Sequence, residues 1–183
     1  MSETMRIIDT DRLRLEPQRV LHAEAMFAVL CDPAIYIHEN APPPSLQWLR
    51  ERFARLETRR SGDGTEQWLN WVVRLHGGPL IGYVQATVKV DGQALIAYEL
   101  ASAHWHHGLG SEAVSAMIAE LSARYSVYRL CAVFKRTNTR SQRLLAGLGF
   151  TAASADDCRR ATIDADEDLM QRRAATTTAH TLP

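Results

Sequence analysis

Trp105-His106-His107-Gly108-Leu109-Gly110-Ser111-Glu112-Ala113 is the stretch whose reading decides the fold. An apolar run at residues 94–100 precedes it, bounded on its far side by the turn pair Asp91-Gly92, which is the pattern of a strand. Beyond it Ala113, Val114, Met117, Ile118 and Leu121 recur at helical spacing, so a helix is expected over residues 111–125. A glycine-rich loop that opens a helix leaves backbone N–H groups pointing one way without intrahelical partners, and the helix dipole adds partial positive charge there. Such a junction suits an anion such as a phosphate. Gly108 and Gly110 put no side chain in its path, and either can adopt a positive φ. The spacing is not the dinucleotide pattern G-x-G-x-x-G, because Ala113 and Val114 follow where a third glycine is needed. It is not a P-loop either, since no Gly-Lys-Ser/Thr follows. On these residues alone, a junction that uses glycine only for its turn geometry is equally open.

A second segment, Asn138-Thr139-Arg140-Ser141-Gln142-Arg143-Leu144-Leu145-Ala146-Gly147-Leu148-Gly149-Phe150, follows a strand-like run at 130–134. Asn138 is placed to cap a helix, Leu144, Leu145 and Leu148 form its core face, and Gly149 stands where a left-handed C′ residue is expected. Together the two segments resemble the GNAT superfamily of acetyl-CoA-dependent N-acetyltransferases. That family carries Gln/Arg-x-x-Gly-x-Gly/Ala on its pyrophosphate loop and Asn-x-x-Ser/Ala…Gly-Phe after the next strand. The chain is most similar to the subgroup of ribosomal-protein N-terminal acetyltransferases, which often places Trp first in the loop, as Trp105 is, and opens with Thr-x-Arg-Leu-x-Leu, as Thr10-Asp11-Arg12-Leu13-Arg14-Leu15 does. Ile81-Gly82-Tyr83 and Ile96-Ala97-Tyr98 stand where that subgroup has its central-strand motifs. The resemblance covers residues 10–172. It implies an α+β fold: a single GNAT-like domain with a central mixed, mostly antiparallel sheet, splayed at the cofactor site and flanked by helices.

The rest of the chain fits this expectation. A length of 183 residues with 46% hydrophobic content is enough for one sizeable core. Twenty-one basic and 21 acidic residues give a net charge of zero, which favours neither nucleic acid nor an anionic membrane as the main partner. No apolar run approaches the roughly 20 residues of a membrane span, and Met1-Ser2-Glu3-Thr4 does not open a signal peptide. Three scattered cysteines, Cys31, Cys131 and Cys158, suggest reduced thiols and a cytoplasmic setting. Residues 6–15 are expected as an edge strand, 18–30 as a helix stopped by Asp32-Pro33, and Ser45 as the cap of a helix with Leu46, Leu49, Phe53 and Leu56 on one face. Strands are expected at 68–75 and 80–88, the second pairing with 94–100. One domain over residues 1–173 and a small, polar, disordered tail at 174–183 complete the reading.

Acetyl transfer from a thioester to an amine needs donors for the cofactor phosphates, a neutral amine, an N–H for the oxyanion and a proton for the thiolate. The resemblance assigns cofactor binding to the loop His106, His107, Gly108, Leu109, Gly110 and Ser111, and to Asn138 and Ser141 on the following helix. It places the oxyanion donor at the backbone of Leu100 or Ala101. Many family members carry a Tyr seven residues after the Asn; here that residue is Leu145, which has no proton to give. Ser141 is the substitute implied by the subgroup, against a plain first-turn serine, and Tyr98 is the second candidate, against an aromatic core residue. Glu99, the one carboxylate within the 94–100 strand, either faces the cleft to hold or deprotonate the amine or faces solvent. Glu66, Asn70 and Gln85 are weaker candidates for acceptor contacts. Lys135, Arg136, Arg140 and Arg143 surround the Asn138 helix start and either meet phosphate oxygens or form a solvated face. The pair His106-His107 lacks a carboxylate or Cys partner, so no metal is expected. The subgroup commonly has Gly where His106 stands, so the backbone of the loop is in question there.

The function expected is transfer of an acetyl group from acetyl-CoA to a primary amine by direct attack. The acceptor is a protein N-terminus or a small molecule, and a homodimer is left open. The alternative is a non-catalytic acyl-CoA-binding sensor or partner module that keeps the fold, an alternative that Leu145 and His106 sustain.

Overall fold

The computed structural model describes residues 4–38 and 40–174. The expected tail, from residue 175 on, lies outside the described residues. The N-terminal segment is not one edge strand. It folds into β1 (Ile8–Asp9) and β2 (Leu13–Pro17), an antiparallel hairpin. The break falls at Thr10, whose hydroxyl accepts from the Leu13 N–H while its backbone N–H donates to the Leu13 carbonyl, closing the turn. The expected helix at 18–30 also divides. Val20–His22 form a 3₁₀ turn tied by the Arg19 N–H donating to His22 Nδ1, and α1 (Ala23–Leu30) follows. The Ser45 hydroxyl accepts from the Trp48 N–H and caps α2 (Leu46–Glu57).

Three long strands come next: β3 (Glu66–Leu75), β4 (Leu80–Lys89) and β5 (Gln93–Leu100). Then follow α3 (Leu109–Arg124), β6 (Arg129–Lys135), α4 (Thr139–Gly147), the short β7 (Thr151–Ala152), α5 (Ala155–Ala161) and β8 (Glu167–Arg173). The eight strands form one sheet in the order β1-β2-β3-β4-β5-β6-β8-β7, antiparallel except for β5 against β6. Helix α3 covers one face. Its Ala113, Val114, Met117, Ile118 and Leu121 are all buried, together with Val84, Ala86, Ile96 and Leu100 of the sheet. The other face is covered by α1 and α2, through Met26, Leu49 and Phe53 packed on Val72 and Leu80.

The parallel pair is where the sheet opens. β5 and β6 are in register only at Gln93–Arg129, Ala94–Leu130 and Leu95–Cys131. Past that point β5 stays paired with β4 as far as Leu100 opposite Gly82, and β6 stays paired with β8 as far as Lys135 opposite Glu167. Each strand is held by its outer neighbour while the inner edges diverge. Gly82 makes this end of β5 possible: a Cβ there would lie 2.1 Å from the Glu99 carbonyl oxygen and 2.8 Å from the Leu100 Cα. Both are backbone atoms, so neither can swing aside. Gly82→Ala is therefore expected to cost about 3 kcal/mol in chemical denaturation, at the upper end of overpacking losses. Gly62→Ala, which meets nothing within 4 Å, serves as the neutral control.

Candidate active site

The divergence creates a wedge-shaped cleft of about 240 Å³ between β5, β6 and the starts of α3 and α4. Tyr98, Glu99, Leu100, His106, Gly108, Leu109, Gly110, Ser111, Asn138 and Ser141 all line it. His107 and Ala101 do not. His107 is exposed, and its carbonyl accepts from Arg12 Nη1 at 2.9 Å. The Ala101 N–H donates to the Ile81 carbonyl at 2.9 Å, so it is spent on the sheet. That bond also fixes the pattern along β5. Alternation in an antiparallel pair turns the N–H and C=O of Tyr98 and Leu100 away from β4, towards the gap. The Leu100 carbonyl is taken by Trp105 Nε1 at 2.7 Å, and its N–H donates to the Glu99 carboxylate at 3.2 Å.

The loop is shaped by two residues in the left-handed region. Gly108 has φ of 75°, and His106 has φ of 62°. A side chain at positive φ costs about 1–2 kcal/mol, which is why glycine suits this place and why His106 is a strained substitute. Gly110 fills a different need: a Cβ there would approach Leu144 Cδ1 to 3.0 Å, so glycine lets α3 and α4 close together. No side chain caps the start of α3, whose first turn presents the N–H groups of Leu109, Gly110 and Ser111 at the cleft.

The sequence motif at 10–15 has a structural role that its reading as a strand does not reveal. Glu112, in the first turn of α3, accepts from the Thr10 hydroxyl at 2.6 Å, from the Arg12 N–H at 3.0 Å and from Arg12 Nε at 2.7 Å. Arg12 continues to the His107 carbonyl, so one residue clasps both the loop and the helix it opens. Burial works to raise the Glu112 carboxyl, but the Thr10 hydroxyl and the Arg12 donors outweigh it and hold it below its ordinary value. A second anchor is Asp32, whose carboxylate accepts from the Ser102 N–H at 2.7 Å and fixes the turn after β5. The Ser102 hydroxyl and N–H, with the Ala34 N–H, lower the Asp32 carboxyl against the opposing effect of burial.

The two candidate proton donors are brought together. Tyr98 Oη lies 2.8 Å from Ser141 Oγ across the gap, while Leu145 is fully buried in the core. Burial pushes the Tyr98 phenol up to about 12, so it stays protonated at neutral pH. Asn138 caps α4 by accepting from the Ser141 N–H at 3.1 Å. Of the basic cluster, Lys135 is held by Asp164, Asp166 and Glu167, and Arg136 by Asp168. Arg140 instead lies 3.3 Å above the Trp105 ring and 3.7 Å from the Glu99 carboxylate, bridging α4 to β5. Arg143 is exposed. Glu99 lines the cleft rather than standing on a bare solvent face. Among the described residues no group of three or more His, Cys, Asp or Glu gathers to hold a metal. No helix among them is long and apolar enough to cross a membrane.

Residues 12–151 match the family described as the acetyltransferase (GNAT) domain, and the chain belongs to that family. The N-acetyltransferase YoaA of Bacillus subtilis (strain 168), itself named as uncharacterized, is 27% identical over 150 residues, covering 79% of this chain and 82% of that protein. Among solved structures, the ribosomal L7/L12 α-N-protein acetyltransferase RimL in complex with coenzyme A superimposes with a TM-score of 0.76 at 15% identity, over 92% of this chain and 98% of that one. The microcin C7 self-immunity acetyltransferase MccE, in complex with acetyl-CoA and AMP, gives 0.74 at 14% identity, over 90% and 93%. At these identities the likeness to the two structures is one of fold.

The clasp makes its own prediction. Glu112→Ala is expected to lose about 1.5–3 kcal/mol of stability at neutral pH, the range for hydrogen bonds to a charged group. The carboxyl is lowered in the folded state. Its contribution is therefore complete above the ordinary value of 4.5 and disappears as pH falls through the lowered folded value. Urea denaturation of both proteins across that range is expected to show the difference closing on acidification.

Proposed function

We propose that the chain is an acetyl-CoA-dependent N-acetyltransferase in which an amine attacks the thioester directly. The observation that carries this reading is the open inner edge of β5. There the Leu100 N–H, the Tyr98–Ser141 pair and the uncapped start of α3 face one cleft. A second cleft, on the α1–α2 side of the sheet, meets the first at Ala97 and Val133, so two molecules can approach the gap from opposite sides.

The residues fit the proposed co-substrate. Side chains are absent from the loop where a phosphate would approach, since Gly108 and Gly110 have no Cβ and α3 has no capping side chain. The N–H groups of Leu109, Gly110 and Ser111 would hold the pyrophosphate, with the Ser111 hydroxyl and the Asn138–Ser141 helix start beside them. His106 and His107 carry the loop backbone. The gap-facing backbone of Tyr98 offers its N–H and C=O to an extended chain, while the Leu100 carbonyl stays with Trp105. Acetyl-CoA supplies an acetyl group activated as a thioester. The Leu100 N–H is the donor placed to stabilise negative charge on the acetyl oxygen, and Glu99 gives up its bond to that N–H when it does so. Turned from Leu100 and still beside Arg140, the Glu99 carboxylate orients the amine or takes its proton. Tyr98 and Ser141, sharing one hydrogen bond, deliver a proton to the departing sulfur, and a phenol at about 12 arrives there still protonated. Acceptors of the class are protein amino termini or small-molecule amines. An unperturbed α-amine, at about 7.7–8.0, demands far less of Glu99 than a lysine at about 10.4.

Two measurements test this reading. In calorimetry the protein is expected to bind acetyl-CoA and Gly108→Asp to abolish the heat, because the new carboxylate repels the phosphates; equal binding by both refutes the site. In steady-state kinetics Ser141→Ala and Tyr98→Phe are expected to lower kcat by roughly 10²–10⁴ at little cost in cofactor affinity. Glu99→Gln should slow the rate most at low pH, where the amine is protonated. Tight cofactor binding with no thiol released from any amine replaces the enzyme with a sensor.

A further inference from the structure

A third cavity, of about 450 Å³, lies on the α3 side of the sheet and shares no lining residue with either cleft. Gln67 and Leu69 line it from the start of β3. They pair with Val88 and Ala86, whereas the tip of β5 pairs with Gly82 at the other end of β4. Three arginines, Arg19, Arg59 and Arg60, stand around this cavity with a single carboxylate, Glu57. Among the described residues none of these four groups makes an ion pair, and the Glu57 carboxylate is occupied by the Val20 N–H at 2.8 Å. Elsewhere the chain behaves differently: Arg12, Arg14, Arg74 and Arg136 each meet a carboxylate.

Arg59 is the centre of the cluster. It follows Thr58, the C-cap of α2, and has φ of 63°, in the left-handed region that glycine usually fills. Its backbone carbonyl accepts from the Trp68 N–H at 2.9 Å, and Arg60 forms a bridge with Gln67, so the segment is stitched to β3. The side chain is half-buried, and it donates to the carbonyls of Gln18 and Leu56. Two of the five guanidinium N–H donors are thereby spent, and the others have no acceptor among the described residues. Burial lowers the Arg59 guanidinium most; Glu57 pulls it back up, and the neighbouring Arg19 lowers it again. An arginine still keeps its proton at neutral pH, so a half-buried cation facing a second cation calls for an anion from outside.

We infer that this cavity binds a small organic phosphate monoester through Arg19, Arg59 and Arg60, at a site separate from acetyl transfer. Three guanidiniums against one carboxylate leave a surplus of two positive charges, which a phosphate monoester dianion balances and a carboxylate does not. The planar guanidinium fork fits phosphate oxygens two at a time. The cavity is of the size that holds a small molecule, and Met5, Pro17 and Leu69 give it apolar wall for the organic part. A nucleic-acid strand asks instead for a stripe of cations along the surface, and this cluster sits in a recess.

Phenyl phosphate, inorganic phosphate and benzoate are the probes, titrated by calorimetry at one low ionic strength. Phenyl phosphate is expected to saturate a single site, at least about tenfold tighter than the other two. Arg19→Gln and Arg60→Gln, both at exposed residues outside any ion pair, should each weaken it about tenfold or more. They carry the test because Arg59 also holds two backbone carbonyls and its loss can unfold the segment. Gly108→Asp, at the phosphate position proposed in the first cleft, should leave this binding intact. Without ligand, Arg19→Gln should keep or raise the thermal midpoint, because it relieves the repulsion on Arg59; a lowered midpoint makes Arg19 a structural residue and overturns the inference. So does the absence of saturable phenyl phosphate binding, equal affinity for benzoate or inorganic phosphate, or binding lost in Gly108→Asp and retained in both arginine variants. None of these outcomes bears on acetyl transfer, which has its own test.

Discussion

The structure depends on one divergence. β5 and β6 run parallel for three registered pairs and then separate, each following its antiparallel outer neighbour. A parallel pair is the weaker kind of ladder, and here it yields to two antiparallel ones. The parts proposed to act in transfer collect at the opening: the gap-facing backbone of β5, the glycine loop that follows it, and the start of α4 that reaches back across the gap through Ser141. The close approach of Gly82 to the Glu99 and Leu100 backbone pins the tip of β5, so the position of the Leu100 N–H is set by the sheet and not by a flexible loop.

Around this opening, charge is used mainly to hold backbone in place. Glu112 gathers Thr10 and Arg12, Arg12 reaches on to the carbonyl of His107, and Asp32 takes the Ser102 N–H. Arg140 spans from α4 to Trp105 and Glu99 on the other side of the gap. The Thr10 and Arg12 contacts join segments about a hundred residues apart in the chain, and together these contacts support a loop that holds His106 at a positive φ. Strain of that kind persists only where its surroundings fix it.

The elements with strong local signals were legible. The core face of α3, the Ser45 and Asn138 caps and the β4–β5 pairing follow from periodicity and cap chemistry, and each is found. Most of the expected site residues line one cleft because both motifs flank the same gap. What escaped was whatever tertiary contacts decide. β8, Glu167–Arg173, places Leu169 and Met170 side by side among charged residues, so it shows no alternation. It is a strand because it has β6 on one side and β7 on the other. The hairpin break at Thr10 depends on its hydroxyl meeting Leu13 and on a glutamate in a distant helix. Ala101 carries a backbone N–H like that of Leu100, and only the bond to Ile81 tells them apart.

The split sheet also has a mechanical meaning. Strands β1 to β5 form one antiparallel block, and β6, β8 and β7 form another. In the sheet itself the two are stitched only by the short parallel segment from Gln93 to Leu95. Elsewhere they are joined by helix packing and by the Tyr98–Ser141 and Arg140–Glu99 contacts. Such a sheet can breathe along one seam while each block stays intact, the way cooperative folding units open separately. A molecule lying along the free edge of β5 takes the place of the missing ladder. The proposed co-substrate, lying there, would bridge the two blocks where the sheet itself does not.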